Sequence, residues 1–332
     1  MLPLFATGGP LDPLMILLAA LILDAVLGDP AWLWRAIPHP VALIGRIIAA
    51  LDLKLNRLSR PAWDRRLRGA LVAVLLTGLA LGLGVLVTDL RSRWEWGGLV
   101  EMVLLWTLLA QKSLFLHVRA VAKALDKQGL TAGRRAVAAI VGRDPDSLDQ
   151  HGVARAAIES CAENFADGVV APVFWYLLFG FPGALIYKTV NTLDSMIGHP
   201  DAHYQEFGLV SARLDDAMNF FPARLAALML VLAAIFVPGG RPLAAGRVML
   251  RDHGHHRSPN SGWPEAAMAG ALGLALAGPR HYPGHVAQER WIGDGRARAD
   301  TGDIRSATFI LAVACLLNFG MIAGVMLVQL KW

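Results

Sequence analysis

Acidic side chains at a helical interval are the first chemical signal in this chain. Arg155, Glu159, Glu163 and Asp167 recur at every fourth position, which stacks them along one face of a helix. Arg155 and Glu159 alone would make an ordinary surface pair. Glu159, Glu163 and Asp167 repel one another unless a cation sits among them. Hard carboxylate oxygens of this kind suit Mg²⁺, which binds through one or two carboxylates together with substrate phosphate. A solvated helix face is the competing reading.

A second group comes after a Gly180-Phe181-Pro182-Gly183 break. Lys188, Asn191 and Asp194 share one helical face, with Ser195 beside them. Arg213, Asp215, Asp216 and Asn219 come next, just before Pro222 and Arg224, at spacings that gather them on one side. An interface helix with snorkelling cations would look similar. Asp24 and Asp29 flank Gly28, and Pro38-His39-Pro40 and Gly45-Arg46 add a stiff turn and a cation. These acids either cap a helix end locally or face a site at the membrane edge. Asn260-Ser261-Gly262-Trp263-Pro264-Glu265 places donors and an acid directly before an apolar helix, which also fits a simple helix start. His253, His255 and His256 match no zinc spacing and read as a polar loop. There is no Gly-rich loop ending in Gly-Lys-Ser/Thr, no dinucleotide fingerprint and no serine elbow. A nucleotide would need a non-standard site.

The elements that must position these residues are helices in a membrane. Of 332 residues 55% are hydrophobic and 17% charged, with mean hydropathy +0.47, which excludes a disordered chain and argues against a cytosolic enzyme. Gly69 to Thr88 and Ser306 to Leu330 are uncharged for twenty and twenty-five residues, each enough to cross a hydrocarbon core roughly 30 Å thick. The fold class is all-α: a polytopic integral membrane protein with five or six spanning helices plus amphipathic or re-entrant ones. Pro13 to Leu23 reads as an apolar helix ending at Asp24 and the Gly28-Asp29-Pro30 breaker, and Val41 to Leu58 as amphipathic. Leu99 to Val118 reads as a span, and Gly168 to Tyr187 as a hairpin or broken helix. Leu225 to Gly240 is a further span, and Ala266 to Pro279 a buried or partial helix. No strand pattern is visible. The chain reads as one membrane domain whose site-forming segments are 24–68, 143–168, 188–224 and 251–305. Cys161 and Cys315 form no motif.

The net charge of +5 reports topology, not nucleic acid. Residues 28–68 carry eight Lys or Arg, 89–98 carry two and 117–168 carry seven. The positive-inside bias then puts the N-terminus outside and both basic regions in the cytoplasm. No basic start or small-residue cleavage site marks a signal peptide.

At these residues the sequence resembles the adenosylcobinamide-phosphate synthases of cobalamin biosynthesis, the CobD/CbiB family. The resemblance runs in order through Leu23-Asp24 to Gly28-Asp29-Pro30, Pro38-His39-Pro40, Gly45-Arg46, and Ala157-Ile158-Glu159-Ser160 to Glu163-Asn164-Phe165-Ala166-Asp167-Gly168. It continues through Tyr187-Lys188 to Asn191-Thr192-Leu193-Asp194-Ser195-Met196-Ile197-Gly198, Arg213-Leu214-Asp215-Asp216 to Pro222-Ala223-Arg224, Asn260 to Ala266, and Ile292-Gly293-Asp294-Gly295. Pro283 departs from it, standing where an aromatic is expected. The resemblance implies an ATP- and Mg²⁺-dependent amide ligase that joins a propionate carboxylate of adenosylcobyric acid to aminopropanol or its O-phosphate. It implies a multi-pass protein of the cell membrane, the inner membrane in a bacterium. Laid onto it, Glu159, Glu163 and Asp167 hold Mg²⁺, Lys188, Arg213 and Arg224 hold phosphate, and Asp194 or Asp216 orients or deprotonates the amine. Asp24, Asp29, His39, Arg46, Asn164, Asn191, Ser195, Asn260, Ser261, Trp263, Glu265 and Asp294 contact substrate, with Trp263 and Trp291 at the rim of a membrane-edge cleft. A membrane sensor related to this family, or a corrinoid-precursor transporter, would share the hydropathy but not need all of these acid and amide blocks together.

The charge bias gives a direct expectation for single-cysteine variants in intact cells. An impermeant thiol reagent labels Ser92→Cys and leaves Ser59→Cys untouched; the opposite pattern inverts the topology.

Overall fold

The computed structural model describes residues 12–142, 145–278, 280–282, 285–287 and 290–329. Helix α1 (Pro13–Leu27) starts where the Asp12 carboxylate accepts the Leu14 N–H at 2.7 Å and Pro13 presets the first turn. It runs past Asp24 and stops at the Gly28 breaker. The Asp24 carbonyl accepts the Gly28 N–H at 2.8 Å, so the acid lies inside the last turn. After the short α2 (Ala31–Ala36), α3 (Pro40–Leu55) is capped by the His39 ring, whose Nδ1 accepts the Val41 N–H at 3.1 Å.

Helix α4 (Ala62–Arg93) extends the uncharged run at both ends. At 1.5 Å per residue it is about 48 Å long, and Trp63 lies exposed at one end with Trp94 and Trp96 at the other, as interfacial aromatics do. The expected span Leu99 to Val118 lies inside the apolar segment Gly97–Gln128 and is divided into two helices, α5 (Gly97–Trp106) and α6 (Gln111–Gln128). The backbone N–H groups of residues 107, 108 and 109 bond three residues back, and the Thr107 hydroxyl takes the Leu104 carbonyl at 2.7 Å. That tightening stops α5.

Next come α7 (Leu130–Val137), α8 (Gln150–Phe165), a π-helical turn (Ala166–Val170) and α9 (Ala171–Ile197). In α9 the chain breaks at Gly180, whose φ of 67° and ψ of −157° are far from helical and suit a residue without Cβ. Trp175 Nε1 donates to the Met218 carbonyl at 3.1 Å and Tyr187 Oη to Asn219 Oδ1 at 3.0 Å. Twelve residues that a straight helix would set about 18 Å apart thus meet neighbouring residues of α10 (Leu209–Ala233). The second arm leans back toward the same turn as the first.

Helix α10 begins sixteen residues before the expected span at Leu225, because its polar first half is held helical from within, Asn219 Nδ2 donating to Asp215 Oδ2 at 2.9 Å. Beyond it lie α11 (Pro242–Asp252), α12 (Gly262–Leu272) and α13 (Thr301–Gln329). Two antiparallel pairs of very short strands stand where no strand was expected: β1 (Leu276–Ala277) with β4 (Trp291–Ile292), and β2 (Arg280–Tyr282) with β3 (His285–Ala287). They leave the all-α class intact. Among the described residues, five segments are long and apolar enough to cross a bilayer: Ala62–Arg93, Gly97–Gln128, Gln150–Ile197, Leu209–Phe236 and Thr301–Gln329.

The chain divides into two compact units, each discontinuous in sequence. Unit 1 takes the chain through Ala110, Ala171–Asn219 and the end from Ile322; unit 2 takes Gln111–Val170 and Phe220–Met321. In unit 1, Ile48, Val72, Leu76, Leu193, Ile197 and Phe207 pack into one core. The loop that carries Phe207 is fastened by charge: Arg65, itself buried, donates to the His203 carbonyl and to Asn56 Oδ1, and Arg66 pairs with Glu206. In unit 2 the core is built largely from small residues, among them Ala154, Ala157, Ala226, Ala267 and Ala307, which lets helix backbones approach closely.

Gly69 tests this packing, since a Cβ there would come 1.8 Å from the Phe207 carbonyl oxygen. Gly69→Ala is expected to cost at least about 2 kcal/mol, read as a lowered melting midpoint in detergent. Gly78→Ala, which meets nothing within 4 Å, keeps or raises the midpoint.

Candidate functional site

The expected site residues fall in both units. In unit 2, Glu159 and Glu163 lie on α8 and Asp167 in the π-helical turn after it, a backbone irregularity frequent at functional sites. Glu159 is buried and accepts the Ala277 N–H at 2.8 Å. Glu163 accepts the Ser261 hydroxyl at 3.0 Å. Asn164 turns back on its own helix, donating to the Ser160 carbonyl at 2.9 Å and the Ser160 hydroxyl at 3.0 Å. Among the described residues no three His, Cys, Asp or Glu side chains gather as a metal cage. The three acids therefore do not fit a resident three-carboxylate centre. Glu163 and Asp167 fit the weaker demand of an Mg²⁺ that arrives on phosphate oxygens and needs one or two carboxylates.

Opposite Glu163, the 260–265 segment builds a stack of planar groups. The Arg224 guanidinium lies 3.7 Å from the Phe220 ring centroid and 4.6 Å from that of Trp263. On Trp263 lies the His253 imidazole, 3.9 Å away and tilted by only 14°. Arg224 also donates to Asn260 Oδ1 at 3.3 Å and to the Phe220 carbonyl at 2.5 Å, and it has no carboxylate partner among the described residues. The Trp263 indole N–H is shielded from solvent and bonds to no described residue. Burial, and then the Arg224 and His255 charges, push the His253 imidazole below its usual range, so a neutral ring covers the indole at pH 7. The remaining histidines of this loop point elsewhere. His255 meets the Trp291 carbonyl at 2.8 Å, and His256 lies 3.7 Å from Glu265, which is buried in the first turn of α12.

Asp294 is anchored rather than open. Arg251 donates to it at 2.9 Å while gripping Asp252 with two bonds of 2.6 and 2.7 Å, and Asp252 accepts the Gly293 N–H at 2.8 Å. The Gly293-Asp294 turn is thereby bolted to the end of α11.

In unit 1, Asp24 is 1% exposed, so it is an interior acid and not a solvated helix-end cap. His39 Nδ1 accepts a backbone N–H, which puts the ring proton on Nε2, 3.5 Å from Asp29. Trp34 packs edge-on against the same ring at 4.4 Å, and Arg46 is exposed on α3. On α9 and α10 one expectation is corrected. Arg213, Asp215, Asp216 and Asn219 do not gather on one side. Arg213 and Asp216 pair at 3.9 Å toward solvent, whereas Asp215 and Asn219, one step round the helix, meet α9. There Asn191 Nδ2 donates to Asp215 Oδ1 at 3.3 Å and Tyr187 bonds Asn219. Lys188 and Asp194 lie half-buried on the same arm of α9, and Ser195 is exposed, its hydroxyl on the Asn191 carbonyl at 2.8 Å. From sequence no site role falls to Asp215, Tyr187 or His253, although Asp215 is grouped there with Asn219 and His253 is read as part of a polar loop. The i, i+4 spacing of Asp215 and Asn219 was the available sign. Pro283 lies outside the described residues.

Comparison with known proteins gives a consistent result. The family model described as CobD/Cbib protein matches residues 17–311. Cobalamin biosynthesis protein CobD of a Sinorhizobium species is 49% identical over 318 residues, covering 95% of this chain and 98% of that protein. Its namesake in Rhizobium meliloti is 51% identical over 306 residues, 91% and 93% of the two chains. The one in Rhodobacter capsulatus is 49% identical over 278 residues, 83% and 86%. No solved structure matches.

The clamp on Asp252 makes stability pH-dependent. Its bonds from Arg251, then the Gly293 N–H, hold the carboxyl below the usual carboxylate range. A depressed carboxyl stabilises the fold above its unfolded value near ~3.9 and loses that contribution as pH falls through its folded value. Asp252→Asn should thus lower stability by about 1 kcal/mol at pH 7. In melting curves the gap to wild type should stay level down to about pH 4 and close below it.

Proposed function

The chain belongs to the CobD/Cbib protein family, and from that premise we propose that it is the amide ligase of adenosylcobinamide-phosphate synthesis, set in the cell membrane as a multi-pass protein. The observation that carries this reading is the extent of the match. Residues 17–311 take in every acid, amide and cation block described above. Its substrates are adenosylcobyric acid and aminopropanol or aminopropanol O-phosphate, with ATP as co-substrate. A carboxylate does not condense with an amine unaided, so ATP converts the propionate to an acyl phosphate before the amine attacks. Mg²⁺ supplies charge neutralisation on the phosphates.

The residues divide by chemistry. Arg224, which lacks a carboxylate partner among the described residues, and the Trp263 N–H offer donors to an anion, and Lys188 and Arg213 serve phosphate. Glu163 and Asp167 hold the metal side of the nucleotide. Asp194 or Asp216 orients the amine or takes its proton, since only the neutral amine is a nucleophile. In a bacterium the protein lies in the inner membrane with its basic loops in the cytoplasm. A sensor or a corrinoid carrier would bind a ligand but has no need of a base and an anion site together.

Purified full-length protein incubated with adenosylcobyric acid, ATP, Mg²⁺ and aminopropanol phosphate yields the conjugated corrinoid, read by mass spectrometry. Product is lost when the metal is chelated, and parallel incubation with free aminopropanol identifies the donor. Glu163→Gln lowers turnover by on the order of 10-fold with normal membrane insertion. No conjugation with either amine removes the ligase reading in favour of the sensor or carrier.

A further inference from the structure

On α10, Asp215 is held differently from its neighbour Asp216. Both its oxygens accept from neutral side-chain amides, Oδ1 from Asn191 at 3.3 Å and Oδ2 from Asn219 at 2.9 Å. The Asn219 amide cannot turn round. Its Oδ1 is taken by the Tyr187 hydroxyl at 3.0 Å, and both Asn219 and Tyr187 are fully buried. A phenol donating to the carbonyl end of an amide commits the other end, Nδ2, to the carboxylate. Asp216, by contrast, faces Arg213. Asp215 makes no ion pair among the described residues, and the carboxylates of Asp194 and Asp216 lie near enough to repel it. An arginine partner would neutralise such a carboxylate. Amide donors aim it and leave its charge available to a cationic ligand.

We propose that Asp215 is the carboxylate that takes the proton of the attacking ammonium, leaving Asp194 or Asp216 to orient the amine, with Tyr187 and Asn219 as the residues that position Asp215. The proposal rests on the ligase reading and deepens it. The ammonium of the amine substrate gives one proton to Asp215. The freed nitrogen pair forms the C–N bond to the acyl carbon, and the C–O bond to the phosphate breaks with its pair going to the phosphate. The second proton on nitrogen leaves with that phosphate as hydrogen phosphate. Asp215 then returns its proton to solvent.

Hydroxylamine separates this role from a structural one, because it is largely neutral at pH 7 and attacks an acyl phosphate without a base. In the full-length enzyme with adenosylcobyric acid, ATP and Mg²⁺, Asp215→Asn should lower conjugation of aminopropanol phosphate about 100-fold. Hydroxamate formation should stay within about threefold of wild type. Tyr187→Phe removes only the hydroxyl that fixes Asn219. It should lower kcat for the amine about 10-fold, leave KM for ATP unchanged and likewise spare the hydroxamate. Equal losses with both nucleophiles, or near-normal amine conjugation by Asp215→Asn, would overturn the assignment. If wild type forms neither product, it is the ligase reading that fails.

Discussion

The break at Gly180 is the constraint on which the polar interior of unit 1 depends. In hydrocarbon a helix normally satisfies every backbone group within itself, and it can only run straight while it does so. Gly180 interrupts that ladder in a conformation that a side chain would resist. The second arm of α9 is turned by it, so that Tyr187 and Asn191 meet α10 while Lys188 and Asp194 lie beside them. Without the bend, the Tyr187 hydroxyl and the Trp175 indole could not both lean on residues 218 and 219. Polar groups sequestered from water in a bilayer demand partners, and the bend is how this chain provides them locally.

Much of the architecture was legible because membrane insertion leaves a coarse, robust mark. The uncharged stretches within α4 and α13 and the Gly-Pro interruption of α9 were visible as apolar runs and as their breaks. Boundaries were less legible, since they depend on single hydrogen bonds. The Thr107 hydroxyl decides that α5 stops, and the Asp215–Asn219 bond keeps α10 helical well before its apolar part begins. At the candidate site, residue type was readable but direction was not. Asp215 and Asp216 are neighbours in sequence, yet about 100° of helix rotation sends one to α9 and the other to Arg213.

The same limit explains why two acids that look chemical from sequence are committed elsewhere. Glu159 satisfies the N–H of Ala277, and Asp294 shares the Arg251 guanidinium with Asp252. Arg65, counted among the topology charges, is buried and binds the loop through His203. Buried polar atoms must be paired before they can be useful. In a membrane protein the surplus left after that pairing is small. Arg224 and the Trp263 N–H are members of that surplus.

Helix α4 also works as a depth gauge. Its uncharged centre of twenty residues is about 30 Å long, the thickness of an ordinary hydrocarbon core. The turns on either side, with Arg65, Arg66 and Arg68 at one end and Arg91 and Arg93 at the other, must therefore emerge among lipid headgroups. Because Arg65 and Arg66 tie the 203–206 loop to that emerging turn, the loop is carried at a fixed height above the acyl chains. In a thinner bilayer α4 has to tilt to relieve the mismatch, and the loop tilts with it. The lipid composition of the host membrane thereby becomes part of the geometry of unit 1.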